Sequence, residues 1–137
     1  MKNILTICFV MVSSFVFGQV PKGAWQLKEP NGLTTMMIVA DNYLVMTTYS
    51  IDPKKFEKTE GGTFTVESGK LNYKTEFNTS NPDAVGGLTL FSVNRKGNNL
   101  TLKAKETKTW TLVDDAHKEA MAGTWRITGR VGDDGKM

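Results

Sequence analysis

The 137-residue chain has one cysteine, Cys8, one histidine, His117, and four prolines. Because Cys8 lies within the first eighteen residues, the rest of the chain has no thiol for a disulfide or a thiolate metal site. No apolar run after residue 18 approaches the ~20 residues of a membrane-spanning helix. Charge of one sign never accumulates: Lys103, Lys105, Glu106 and Lys108 alternate in the manner of a solvated surface. With no basic block or stripe, nucleic acid is not an expected partner. Gly61-Gly62 is followed by no helix and so is not a phosphate loop. The pairs Asp114-Asp115 and Asp133-Asp134 read as a helix cap and a turn rather than a metal site. No metal and no cofactor are expected.

The first eighteen residues read as a cleavable signal peptide. Lys2 supplies the positive start, Ile4 to Phe17 the apolar stretch, and Val16 and Gly18 the −3 and −1 positions of a cut before Gln19. Cys8 sits inside the apolar stretch rather than after the cut, which argues against a lipid anchor. The mature protein is expected to be secreted or periplasmic, with no membrane span. Removing Lys2 lowers the net charge from +3 to 16 − 14 = +2.

Sixteen threonines and twelve glycines follow residue 18, a balance that favours strands and turns. Apolar and polar residues alternate in eight segments between Gly23 and Asp114. Turn signals divide them at Pro30-Asn31-Gly32, Asp41-Asn42, Asp52-Pro53, Ser68-Gly69, Asn78 to Asp83 and Lys96-Gly97-Asn98, and loop 104–108 separates the seventh from the eighth. Eight sequential strands without intervening helices predict a barrel or a sandwich. The Gly61-Gly62 bend favours an all-β fold, an eight-stranded up-and-down antiparallel β-barrel over residues 19–114. A short C-terminal linker helix is expected at 115–122, with Asp114 or Asp115 as its N-cap and Gly123 as its stop. His117 falls on that linker, outside the barrel, so no Ser/His/Asp or Cys/His constellation assembles and the protein is expected to be non-enzymatic.

Gly123-Thr-Trp125-Arg-Ile127 repeats Gly23-Ala-Trp25-Gln-Leu27 one hundred residues later. On this basis residues 123–137 are expected to begin a second, truncated repeat, with a second barrel as a partner domain in the full-length chain. The other reading makes this segment a ninth strand of the first barrel, and a structure separates the two.

Pairing the first and eighth strands antiparallel, with Gly23 opposite Asp114, puts Trp25 against Leu112 and Leu27 against Trp110 on the inner face. Continued alternation places Phe64, Val66, Leu71, Tyr73, Leu100 and Leu102 with Trp25 at a closed base. Loops 28–33, 50–56, 78–87 and 104–108 gather at the other end, where Met36, Tyr49, Phe56, Phe77 and Leu88 are expected to line the mouth. With inward residues this large, the base is expected to be filled, with at most a shallow pocket above it.

The Gly23-x-Trp25 pair opening an eight-stranded meander resembles the lipocalin, or calycin, signature. Glu60 to Gly69 followed by Tyr73 to Phe77 is similar to the middle of uncharacterised bacterial secreted lipocalin-like domains, some of which occur as tandem pairs. Gly23, Trp25, Trp110, Gly123 and Trp125 are the structural-motif positions. In the family an arginine near the chain's end packs over the motif tryptophan, and here no arginine lies on the eighth strand. The resemblance implies a carrier that binds a small apolar or amphipathic molecule at the open end. The alternative is a protein-interaction or structural module whose loops dock a partner around a solid barrel.

Overall fold

The computed structural model describes residues 20–115. The segments read as signal peptide, linker helix (beyond Asp115) and second repeat, with His117, Gly123 and Trp125, lie outside the described residues. All eight expected strands are present: β1 (Gly23–Lys28), β2 (Thr34–Ala40), β3 (Tyr43–Ser50), β4 (Lys55–Glu67), β5 (Lys70–Asn78), β6 (Leu88–Lys96), β7 (Asn99–Lys103) and β8 (Thr107–Asp114). Each pairs antiparallel with its sequence neighbour, and β1 pairs with β8 to close the barrel. Closure leaves the sheet without a full-length edge strand. No helix among the described residues is long and apolar enough to cross a membrane.

Strand β6 begins only at Leu88, five residues past the Asn78 to Asp83 turn. The Asn78 side chain accepts bonds from the Ser80 and Asn81 amides at 3.0 and 2.8 Å, which curls the chain into a 3-10 turn at Pro82–Ala84. Gly86, at φ +84°, then redirects it into the strand.

Trp25, Met37, Leu71 and Leu100 are fully buried at the centre of the core. Phe64, Tyr73 and Leu102 join them, with Val66 packed at the margin, so the base is filled by the residues that alternation assigns to it. Trp25 pairs with Met37 on one side and Leu112 on the other. Asp114, however, faces Ala24 rather than Gly23, because Val113 is an extra residue bulged out of β8. Gly23 stands at φ +133° with the Asp114 carbonyl oxygen where a Cβ would lie, so glycine is required beside the motif tryptophan. Arg95 of β6 lies over the Trp25 ring, 5.8 Å from its centroid.

Two further bulges steer the walls. Between Gly61 and Gly62 the pairing shifts from Phe77 to Thr75, so Glu76 is an extra residue on β5. Between Thr48 and Tyr49 it shifts from Lys58 to Phe56, so Glu57 is extra on β4. Each adds one residue to a two-residue period, and the strand beyond it presents the opposite face.

Candidate functional site

Above the filled base the lumen holds a cavity of about 450 Å³, opening at the end where loops 28–33, 50–56, 78–87 and 104–108 gather. The registers stack its walls in tiers. Met37 faces Met46, which faces Glu60; one step nearer the mouth Thr35 faces Thr48, which faces Lys58. Leu44, Phe91, Leu102 and Trp110 complete an apolar floor. Methionine suits such a wall, since its unbranched thioether adapts to the shape it meets.

The rim is polar and ordered. The buried hydroxyls of Thr35 and Thr48 lie 2.9 Å apart, and Thr35 donates to Glu29 Oε1 at 3.3 Å. Lys108 Nζ approaches the same oxygen at 3.8 Å. Opposite, Asn78 Nδ2 donates to Glu60 Oε2 at 2.6 Å. Lys58 and Lys105 line the opening and make no ion pair among the described residues. The rim carries Lys58, Lys105 and Lys108 against Glu29, Glu60 and Glu106, so its charge is balanced. Such a site offers dispersion contacts below and hydrogen bonds and point charges above.

Two buried donors, the Tyr73 hydroxyl and the Trp110 indole N–H, have no hydrogen-bond partner among the described residues. Burial pushes the Tyr73 phenol up from 10.0 to about 12, and the Glu60 carboxylate adds to the rise. The neighbouring Thr75 hydroxyl offsets part of it, although not in a hydrogen-bonding geometry. Below pH 10 the phenol is protonated in both folded and unfolded chains. Between pH 10 and 12 only the unfolded chain releases the proton, so stability falls as pH rises. The Tyr73→Phe variant is expected to lose less stability over that interval than the parent, and none at pH 7. Urea midpoints measured across the alkaline range check both.

None of the five side chains expected at the mouth lines this cavity. Met36 pairs with Gln26 on the outer face, where the Gln26 amide donates to its sulfur at 3.8 Å. Its neighbour Met37 points inward instead: the two are equally apolar, and only the pairing of Met37 with Trp25 chooses between them. Phe77 and Phe56 lie beyond the Glu76 and Glu57 bulges, which reverse their facing. Phe77 therefore covers Gly61 from outside, while Phe56 joins Tyr49 at a separate outer hollow of about 470 Å³ with Ile51, Lys54 and Lys55. Leu88 is 78% exposed, because Thr89 and Phe91 are the inward residues of β6. The lumen residues that sequence reasoning missed were findable from one signal, the parity that Trp25 imposes on β2 and passes to β3 and β4.

The fold and site together define a closed eight-stranded antiparallel barrel with a lumen open at one end. No family model, curated protein or solved structure matches the chain.

Proposed function

We propose that this is an exported, non-enzymatic lipocalin-like carrier that binds a small amphipathic molecule in its lumen. The observation that carries the reading is the cavity of about 450 Å³, with an apolar floor and a charge-balanced polar rim. Small-molecule sites usually span ~300–1,000 Å³, lined mostly by apolar groups with a few placed polar ones. The Gly23/Trp25 motif supports the family resemblance, as does Arg95 stacked on that tryptophan. The signal-like first eighteen residues support export.

The test is titration with a fluorescent amphiphile such as anilinonaphthalene sulfonate, beside native mass spectrometry of protein recovered from its source. Met46→Trp places a large ring in the cavity and is expected to weaken probe binding at least tenfold with the far-UV spectrum unchanged. Undiminished binding in that variant puts the probe elsewhere and defeats the lumen reading.

A second reading, a protein-docking module, draws on the exposure of Ile51, Phe56, Val85 and Leu88 around loops 50–56 and 78–87. In that case Phe56→Ser with Leu88→Ser abolishes partner capture, and the filled-lumen variant leaves it intact.

A further inference from the structure

We infer that the seam between β1 and β8 is the ligand gate: the mouth half of the β7–β8 hairpin, hinged on β6, is latched to β1 by the Lys108–Glu29 ion pair. The inference rests on the carrier reading above.

The seam has the shortest strand pairing in the barrel. Its register comprises three pairs, Ala24↔Asp114, Trp25↔Leu112 and Gln26↔Thr111, and a bulge interrupts them. Every other seam has at least five. All three pairs lie toward the base, so Leu27, Lys28 and Thr107 to Trp110 have no ladder across the seam among the described residues. β7, in contrast, is paired along its whole length with both β6 and β8, from Asn99 to Lys103. The hairpin is thus laddered within itself, and it is paired to β6 along all of β7 but to β1 only at its base.

The turn of this hairpin is also short. β6 continues to Leu88 past the last β6–β7 pair, Ser92↔Lys103, so Leu88 to Phe91 are laddered to β5 alone. The barrel wall is therefore lowest at residues 104–106, and Ala104, Lys105, Glu106 and Lys108 line the cavity there. In this structure the seam is closed, with Leu27 packed against the core and Trp110 buried, so opening it would widen the mouth that the cavity already has. Lys108 and Glu29 make the one ion pair spanning the open half of the seam among the described residues, at 3.8 Å and with both side chains partly exposed. A partly exposed pair at that distance is weak and screened by salt, which suits a latch that must release. Above Gln26 no ladder has to break, so what resists an outward swing is the burial of Leu27 and Trp110 against the core.

Two measurements test this. Leu112 donates its amide to Asn98 on the β7 side, so the Thr107 and Thr109 amides alternate toward β1, where no ladder receives them. Their hydrogen exchange is expected to be at least tenfold faster than that of the Leu100 and Trp110 amides, and Glu29→Gln should accelerate it further. Protection equal to that of the base overturns the gate. The second measurement uses Lys28→Cys with Thr109→Cys, two exposed outer-face positions that would pair next if the register continued. Oxidising this pair is expected to slow probe association at least tenfold and reduction to restore it, with the lumen unaltered. An unchanged rate in the oxidised protein overturns the gate. If no protein, parent included, binds any amphiphile, the carrier reading falls, and hydrogen exchange alone decides whether the seam opens.

Discussion

Trp25→Ala is expected to cost about 3–5 kcal/mol, the range for emptying a buried tryptophan site. Trp25 is fully buried, and its ring lies between Met37 of β2 and Leu112 of β8. Its indole N–H donates to the Pro21 carbonyl at 3.2 Å, tying down the chain that leads into β1. The site has little freedom to collapse, because the β1–β8 pairs that would have to move are the only ladder closing the barrel at that seam. A domain of this size has a total stability of about 5–15 kcal/mol, so the variant sits near the edge of folding. Arg95→Ala is the control. It removes the cation above the ring and leaves the core filled, and its expected cost is about 1 kcal/mol or less. Urea unfolding followed by circular dichroism measures both. Equal losses in the two variants would show that the cation, and not the buried ring, holds the seam.

Gly62→Ala is expected to destabilise the barrel by about 3 kcal/mol, the upper part of the range for forcing atoms into a packed interior. A methyl group at this position would occupy the space of the Lys74 carbonyl oxygen and press on the Glu76 amide, both of them backbone atoms of β5. Backbone cannot rotate away as a side chain can, so the β4–β5 ladder must shift or the bulge at Glu76 must be lost. Losing the bulge would reverse the facing of everything beyond it. Gly61→Ala makes the comparison informative. Its Cβ would meet the Phe77 ring at 2.6 Å, the far end of a side chain on the outer face, while the nearest backbone atom, the Leu44 carbonyl oxygen, lies at 3.0 Å rather than within the methyl's own space. Gly61→Ala is accordingly expected to cost well under half as much. A difference spectrum of the aromatic region should show Phe77 displaced in Gly61→Ala and the whole core perturbed in Gly62→Ala.

These adjacent glycines show how much of the fold was legible. A Gly-Gly pair in a strand signals a bend or bulge, and the pairing shift falls between the two residues. The sequence does not say which strand receives the extra residue. It is Glu76 on β5, and that choice put Phe77 outside while Leu71, Tyr73 and Thr75 stayed inside. Similarly, the Trp25–Leu112 contact followed from assuming that the chain's first and last strands meet. The displacement of Asp114 from Gly23 to Ala24 did not, because a bulged valine looks like any other β-branched residue in a strand.

The site was legible in location and not in membership. Loop order alone gathers four loops at one end, and the cavity lies there. Its lining depends on parity, and parity in Met36-Met37 or Thr47-Thr48 is invisible where both neighbours have the same character. Glu60 belongs to the family-like segment and also walls the lumen, a position that its even spacing from Phe64 and Val66 carries.

By itself, the sequence determined the number, order and type of strands and the composition of the base, because turn chemistry and two-residue alternation act within a few residues. Tertiary structure decided which face the residues beyond each bulge present, and whether space remains above the core. Facing is reset by a single extra residue whose position only the opposing strand fixes. Lumen volume is a small difference between the space that eight strands enclose and the side chains that they send into it, a quantity no local segment contains.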